Sequence, residues 1–385
     1  MRLSLVTDTF PPDVNGVALT LRRLRDMLVS RGHAVEVVLP GDLWPHSLAA
    51  GAVGAEDPAG MLKLPSFPLP GYKGLRFGLP AKGALRKHWR AHPPEIVYVA
   101  TESPLGFSAA DVSHELGIPV VSGFHTNFDT YMQHYKVPML RELAGGYLRS
   151  LHNRTAATFA PSPDVMDRLQ AEGFRNVKHL GRGVDTAFFD PARRDPDLRA
   201  SWGMGEGDAV ALYVGRVAAE KNLSLAVRAF EDMRRLEEAA GRRFRAVIVG
   251  DGPKRAEIEK SHPEFHFAGM RTGPDLAAHY ASADVFVFPS VSETFGNVII
   301  EAMASGLAVV SFHYAAALLH LRPGQNGLSA PLGDEPAFLE ACRNALDRSL
   351  WPSLRAQARR TAESLGWEAV VERFEKDLEE ILLTC

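Results

Sequence analysis

The sequence predicts an α/β protein made of two doubly wound parallel-sheet domains, and three observations carry that prediction. Short apolar runs alternate with helical patterns along the chain, as parallel strands joined by crossover helices require. With 385 residues the chain is long for one domain, so two are the default. Near Gly181-Arg182-Gly183-Val184-Asp185 the alternation gives way to small residues, prolines and charges, which reads as an interdomain connection.

In the first half Leu3–Thr7, Val35–Leu39, Ile96–Val99, Val120–Ser122 and Ala157–Ala160 read as strands. Leu19–Arg31 and Phe107–Leu116 read as helices between them. The first run starts directly as a buried strand rather than as a signal peptide. It leads into Pro11-Pro12-Asp13-Val14-Asn15-Gly16, where a glycine lets backbone approach a ligand phosphate; alone this is a simple turn, and no G-x-G-x-x-G fingerprint is present. From Pro58 to Pro94 there is no acidic residue, while Lys63, Lys73, Arg76, Lys82, Arg86, Lys87 and Arg90 mix with Phe67, Tyr72, Phe77 and Trp89. That mixture suits an anionic membrane surface, at about 1 kcal/mol per basic residue, and equally a basic proline-rich surface loop. His125 stands just past the strand Val120–Ser122; a lone histidine there reads as structural. Tyr131–Arg154, with Tyr131 and Lys136, is a second candidate for acceptor or membrane contact, and an amphipathic core helix is the simpler reading.

In the second half Ala209–Val214, Ala246–Val249, Phe265–Phe267, Val285–Phe288, Ala308–Ser311 and Leu328–Ala330 read as strands. Gly215, Arg216 and Lys221 follow the first of these, at the sheet end where open α/β sheets bind ligands. An arginine fork and a lysine charge there suit a diphosphate. After Val285–Phe288 comes Ser292-Glu293-Thr294-Phe295-Gly296-Asn297, opening a short helix with Asn297 as N-cap and Gly306 as its C-terminal glycine. A helix N-terminus attracts phosphate, so the natural partners of Glu293 and Glu301 are the hydroxyls of a sugar or ribose. Gly250-Asp251-Gly252-Pro253 reads as a tight turn, and Asp195-Pro196-Asp197 as a solvated linker.

Composition narrows the function classes. Apolar residues make up 46% and charged residues 23%, ordinary for a soluble enzyme, and no stretch is long and apolar enough to span a bilayer. The two cysteines have no metal-ligand spacing and point to a reducing compartment. Residues 1–182 carry an excess of four positive charges and the remainder an excess of seven negative, within a net charge of −3. The acidic second half argues against nucleic acid as partner.

Arg216 and Lys221 followed by the pair Glu293 and Glu301, in these strand contexts, resemble the retaining nucleotide-sugar glycosyltransferases of the glycogen-synthase-like group 1 family, glycosyltransferase family four. The resemblance implies the GT-B fold, two Rossmann-like domains facing a cleft, here 1–182 and 183–366 with a final helix 367–385 crossing back to the first domain. It implies a nucleoside diphosphate sugar as donor and no metal or other cofactor. Arg216 and Lys221 would stabilise the leaving diphosphate, with Gly215, Phe295, Gly296 and Asn297 lining its site. Glu293 would lie by the sugar, Glu301 would hold the ribose, and Met270 and Arg271 would flank the base. His125 and Gly16 would close the site from the first domain. Phe124-His125-Thr126 and Tyr314-Ala315-Ala316-Ala317 look most like bacterial GDP-mannose-dependent α-mannosyltransferases and glycolipid glycosyltransferases. His313-Tyr314 departs from the acidic residue many members carry there. That branch implies GDP-mannose or UDP-glucose as donor and a diacylglycerol or phosphatidylinositol lipid as acceptor. Acceptor or membrane contact would fall to Asp13, Lys73, Arg76, Tyr131 and Lys136, at the cytoplasmic face of the membrane. The alternatives are a GT-B enzyme with a soluble acceptor, and a sugar-nucleotide epimerase or binding protein.

Overall fold

The computed structural model describes residues 1–13, 15–41, 56–57, 60–68, 76–125 and 138–384, with backbone alone for 56–57 and 138–144. Lys73, Tyr131 and Lys136 lie outside the described residues. By internal contacts the chain divides into two units, Met1–Gly181 with Glu368–Cys385, and Arg182–Trp367.

The strands of the first unit are β1 (Arg2–Val6), β2 (Ala34–Pro40), β3 (Glu56–Asp57), β4 (Met61–Leu64), β5 (Ser66–Pro68), β6 (Arg76–Gly78), β7 (Ile96–Val99), β8 (Val120–Gly123), β9 (Thr158–Ala160) and β10 (Val177–His179). Eight form one sheet in the order β10-β9-β8-β7-β1-β2-β4-β3, and β5 pairs with β6 apart from it. Every pairing in the larger sheet is parallel except β3 with β4. β7 and β8, and β1 beyond Arg2, are buried at every position, as strands of a parallel sheet covered on both faces are. The helix Gly16–Ser30 begins where the Asn15 side chain accepts from the N–H groups of Val17 and Ala18, and it buries Ala18, Leu21, Leu24 and Leu28 at helical spacing. It starts three residues before the expected Leu19.

The basic stretch after Pro58 proves to be partly core. Leu62 and Leu64 of β4 and Leu85 and Trp89 of the helix Lys82–Ala91 are buried, while Lys82 and Arg86 pair with Asp111 and Glu115 of the next helix. Much of the apolar content that suggested membrane contact is therefore folding signal. Arg76 is half-buried, its Nε donating to Ser66 Oγ at 2.7 Å. The last helix, Trp367–Thr384, belongs with the first unit from Glu368 onward. Phe374 packs on Tyr98 and Phe159, Glu375 accepts from Arg31 at 2.7 Å and contacts His33 at 2.6 Å, and Asp377 accepts from Lys178 at 2.6 Å.

The second unit holds β11 (Ala209–Val214), β12 (Phe244–Val249), β13 (His266–Gly269), β14 (Val285–Phe288), β15 (Ala308–Phe312) and β16 (Leu328–Ala330), parallel throughout in the order β13-β12-β11-β14-β15-β16. β11, β14 and β15 are buried along their whole length. Asp195-Pro196-Asp197 is a helix cap rather than a linker: the Asp195 side chain accepts from the N–H groups of Asp197 and Leu198 at the start of Pro196–Ser201. Strand order reverses once in each sheet, between β1 and β7 and between β11 and β14. Ligands of open α/β sheets bind beyond the strand carboxyl ends at such switch points.

Candidate functional site

Of the predicted residues of the second unit, Gly215, Arg216, Lys221 and Glu293 lie at its switch point, while Met270 and Arg271 follow β13 at the sheet edge. β11 runs into Gly215 and Arg216, and a single 3-10 turn, Ala219–Lys221, ends at Asn222 in the left-handed region. That turn aims Lys221 across to the loop after β14, where its Nζ donates to Glu293 Oε1 at 2.5 Å. Ser290 Oγ donates to the same oxygen at 2.6 Å, and Glu293 N–H donates to Tyr314 OH at 2.9 Å. Glu293 is thus pinned from three sides. Arg216 donates to Glu220 Oε1 at 3.1 Å and its side chain stays 39% exposed.

The loops after β11 and β12 are zipped together. Gly215 N–H donates to Val249 O, Val217 N–H to Asp251 O and Lys254 N–H to Val217 O, each at 3.0 Å. Here the glycines of the turn Gly250-Asp251-Gly252 have a reason. A Cβ on Gly250 would lie 1.9 Å from Gly215 O, and one on Gly252 would lie 2.4 Å from Val217 O. Gly250→Ala is therefore expected to push the Arg216 loop out of place and to cost at least about 1–3 kcal/mol of stability. Urea unfolding together with nucleotide titration would check both effects.

The helix Asn297–Ala304 begins differently from expectation. Gly296, in the left-handed region at φ 90°, is the cap, and Asn297 is the first helical residue. No side-chain cap occupies the helix start, and the N–H groups of Phe295, Gly296, Asn297 and Val298 donate to no group among the described residues. Four free amides and the helix dipole give this helix start the polarity that favours an anion. Gly306 ends the helix at φ 71°, as expected of a C-terminal glycine. Phe295 itself is buried. One turn into the helix, Glu301 accepts from Tyr280 OH at 2.9 Å, and burial pushes its carboxyl up to about 7 against the pull of that hydrogen bond. Burial, with the Glu301 charge beside it, likewise holds the Tyr280 phenol well above its usual range. After β13, Met270 is 54% exposed, while Arg271 is fixed on Ala268 O and Asp275.

The first-unit candidates are more dispersed. Gly16 opens the helix Gly16–Ser30 and is exposed, and Asp13 accepts from Thr9 Oγ1 at 2.9 Å. His125 follows β8 as expected but is buried, with its Nε2 2.6 Å from the hydroxyl of buried Tyr98. That nitrogen already has a protein partner. The sequence reading did not single out Tyr280 or Ser290. They lie 21 and three residues from the glutamates they hold, and only the fold makes Tyr280 a neighbour.

Comparison with known proteins agrees with this geometry. A family profile described as "Glycosyl transferases group 1" matches residues 208–348, and one described as "Glycosyltransferase Family 4" matches residues 14–188. The chain is 33% identical to the GDP-mannose-dependent alpha-mannosyltransferase of Mycobacterium tuberculosis over 87% of its length and 85% of that protein's. It is 28% identical to the alpha-monoglucosyldiacylglycerol synthase of Streptococcus pneumoniae over 81% of its length and 71% of that protein's. Among solved structures, sucrose-phosphate synthase from Thermosynechococcus elongatus aligns over the whole of both chains with TM-score 0.76 at 18% identity. WaaG, a glycosyltransferase involved in lipopolysaccharide biosynthesis, aligns over 96% of this chain and 98% of its own with TM-score 0.69 at 17% identity. These likenesses show the fold.

Proposed function

Because the chain belongs to the group 1, family 4 glycosyltransferases and has their GT-B fold, we propose that it moves a hexose from a nucleoside diphosphate sugar to a hydroxyl of a membrane lipid, with retention at the anomeric carbon. The observation that carries this reading is the cluster at the β11/β14 switch point, where Lys221, pinned Glu293 and four free amides stand together. As the glycosidic bond breaks, negative charge grows on the departing diphosphate. Arg216, Lys221 and the amides answer that charge, so the reading needs no metal. Glu301 accepts from the ribose hydroxyls, with Tyr280 fixing its orientation. Glu293 holds Lys221 in place and lies toward the sugar. Met270 and Arg271 flank the base. The donor to test first is GDP-mannose, after the name of the Mycobacterium relative, and UDP-glucose is the second.

Peripheral docking at the cytoplasmic membrane face belongs to the same proposal. Among the described residues no helix is long and apolar enough to cross a membrane. Cosedimentation with anionic liposomes tests the docking. The central experiment is nucleotide release from the two donors with and without bacterial lipid extract. Lipid-stimulated release from one donor supports the whole reading. Release indifferent to lipid would move the acceptor into solution, and no release from either donor would overturn the transferase reading.

Glu301 gives a pH signature. As an acceptor of ribose hydroxyls it works best ionised, and its carboxyl titrates near 7. Nucleotide affinity is therefore expected to rise about tenfold from pH 6 to pH 8, and Glu301→Gln to flatten that rise. The same burial costs stability. Below about pH 4.5 the group is neutral folded and unfolded; as pH rises through about 7 the unfolded chain gains charge more readily, and stability falls. Glu301→Gln should therefore gain stability over the parent at pH 8 but not at pH 4, as read by thermal melting.

A further inference from the structure

The first unit has its own switch point, between β1 and β7, and the residues just past those strands form a cluster that the donor chemistry leaves unused. Val6 pairs in register with Val99, so Asp8 and the segment Thr101–Ser103 leave the sheet side by side. Asp8 N–H donates to Thr101 Oγ1 at 2.9 Å, while Asp8 Oδ1 accepts from Ser103 Oγ at 3.0 Å and Gly78 N–H at 3.3 Å. The other oxygen, Oδ2, accepts from no group among the described residues, although the residue is half-buried.

Glu102 is odder still. Its side chain is 3% exposed, and Oε1 accepts no hydrogen bond among the described residues. Nε2 of fully buried His152 lies 3.5 Å from it and likewise makes no hydrogen bond among the described residues. The His152 ring is not free to turn away, because Nδ1 lies 2.8 Å from Ser122 Oγ. A buried polar atom left unsatisfied is costly, and such atoms in a concave place are where a ligand's groups complete the bonding. Beside the carboxylates stands an aromatic face. The rings of Phe107 and Tyr147 are 4.4 Å apart, and Tyr147 is 43% exposed. Phe107 stands one turn into the helix that Ser103 caps, its N–H donating to Ser103 O at 3.0 Å, which sets the pair beside Glu102; burial and the charges of Glu102 and Asp8 raise the Tyr147 phenol.

Free carboxylate oxygens accept hydrogen bonds and repel phosphate. The ligand must then bring donors without bringing anionic charge. Burial also pushes Asp8 up to about 7, so near neutrality the site carries less negative charge than two carboxylates and does not demand a cation. Hydroxyl donors on a body whose C–H face lies on an aromatic ring describe glycerol or a sugar. We propose that Asp8, Glu102, Ser103 and Tyr147 form the acceptor subsite, and that it takes a neutral polyhydroxylated group rather than a phosphate-bearing one. The inference rests on the glycosyltransferase reading for the word acceptor, and on the switch-point cluster for the chemistry.

The test uses the full chain with two short-chain probes, 1-octanoylglycerol, which keeps two free hydroxyls, and dioctanoyl-phosphatidylinositol. Asp8→Asn and Glu102→Gln are expected to raise KM for transfer to 1-octanoylglycerol about tenfold, one lost charged hydrogen bond each, while the Kd for GDP stays within twofold. Tyr147→Leu, at an exposed position, is expected to raise the same KM and keeps the test alive where a buried variant fails to fold. Unchanged KM in all three, or a loss of GDP binding in step with it, would overturn the subsite. So would a lower KM for dioctanoyl-phosphatidylinositol than for 1-octanoylglycerol. Saturation-transfer NMR on the same probes separates the two readings. Head-group signal in the parent that vanishes in Asp8→Asn, without nucleotide release from any donor, would sink the transferase reading and keep the polyol site. No head-group signal in the parent would sink the site itself.

Discussion

Replacing Lys221 with alanine is expected to lower turnover by about 10²–10³-fold while weakening GDP binding only a few-fold. The asymmetry follows from where the charge is needed. In the proposed site the ground-state diphosphate would also be held by the four amides at the helix start and by Arg216, so one cation among several is a modest loss. At the transition state the leaving oxygen gains charge, and a lysine fixed in a water-poor loop counters it without reorganising. The variant has a second effect. Glu293 loses its 2.5 Å partner and keeps only Ser290 and the backbone link to Tyr314, so a bare carboxylate is left near the departing anion. Lys221→Arg retains the charge but places a planar fork where a point charge fitted, and it should recover part of the rate. Single-turnover kinetics at saturating donor, paired with GDP titration, separates the two effects. Near-normal turnover by Lys221→Ala would remove this residue from the chemistry.

The strands that position this site were plain in the sequence, because a strand buried on both faces is an uninterrupted apolar run. Ala209–Val214 and Val285–Phe288 have the same bounds in structure and sequence reading. Strands with one wet face were lost. Met61–Leu64 alternates, with Lys63 exposed between buried Leu62 and Leu64, inside a stretch dominated by proline and positive charge. Val177–His179 is only half-buried at the sheet edge and carries two polar residues out of three. The candidates Arg216, Met270 and Glu293 were legible because each follows its strand within a few positions. Asp8 and Glu102 were not, because only the β1–β7 pairing makes neighbours of residues so far apart in sequence. The N-cap was misplaced for a related reason. Asn297 has the side chain of a cap, but the left-handed backbone at Gly296 already starts the helix and leaves the amides uncapped.

Asp284 lies far from any proposed chemistry, yet Asp284→Ala is expected to be the most damaging single change to stability. Its carboxylate is 2% exposed and accepts from Arg199 Nη1 at 3.0 Å, Arg194 Nη2 at 3.1 Å, Arg355 Nη2 at 2.9 Å and the N–H of Val210 at 2.9 Å. Those four donors come from different places: the segment leading into the second unit, the helix Trp351–Glu363 and the first residues of β11. One carboxylate therefore ties the start and the end of the unit to its central strands. Arg199 is itself 1% exposed, so the alanine variant leaves a buried guanidinium with backbone carbonyls alone. Breaking a buried charge cluster from one side costs about 3–5 kcal/mol, or about 10 °C of melting temperature in a unit of this size. Asp284→Asn should cost nearly as much, since whichever way it turns its amide N–H groups would face two of the four donors. Arg194→Ala, whose side chain is 26% exposed, should cost about 1 kcal/mol or less because water reaches what it leaves behind. Urea titration of the three variants at low and high salt reads the difference. A loss below about 1 kcal/mol for Asp284→Ala, or one that vanishes in 1 M salt, would mean that the arginines turn outward and that the cluster ties nothing.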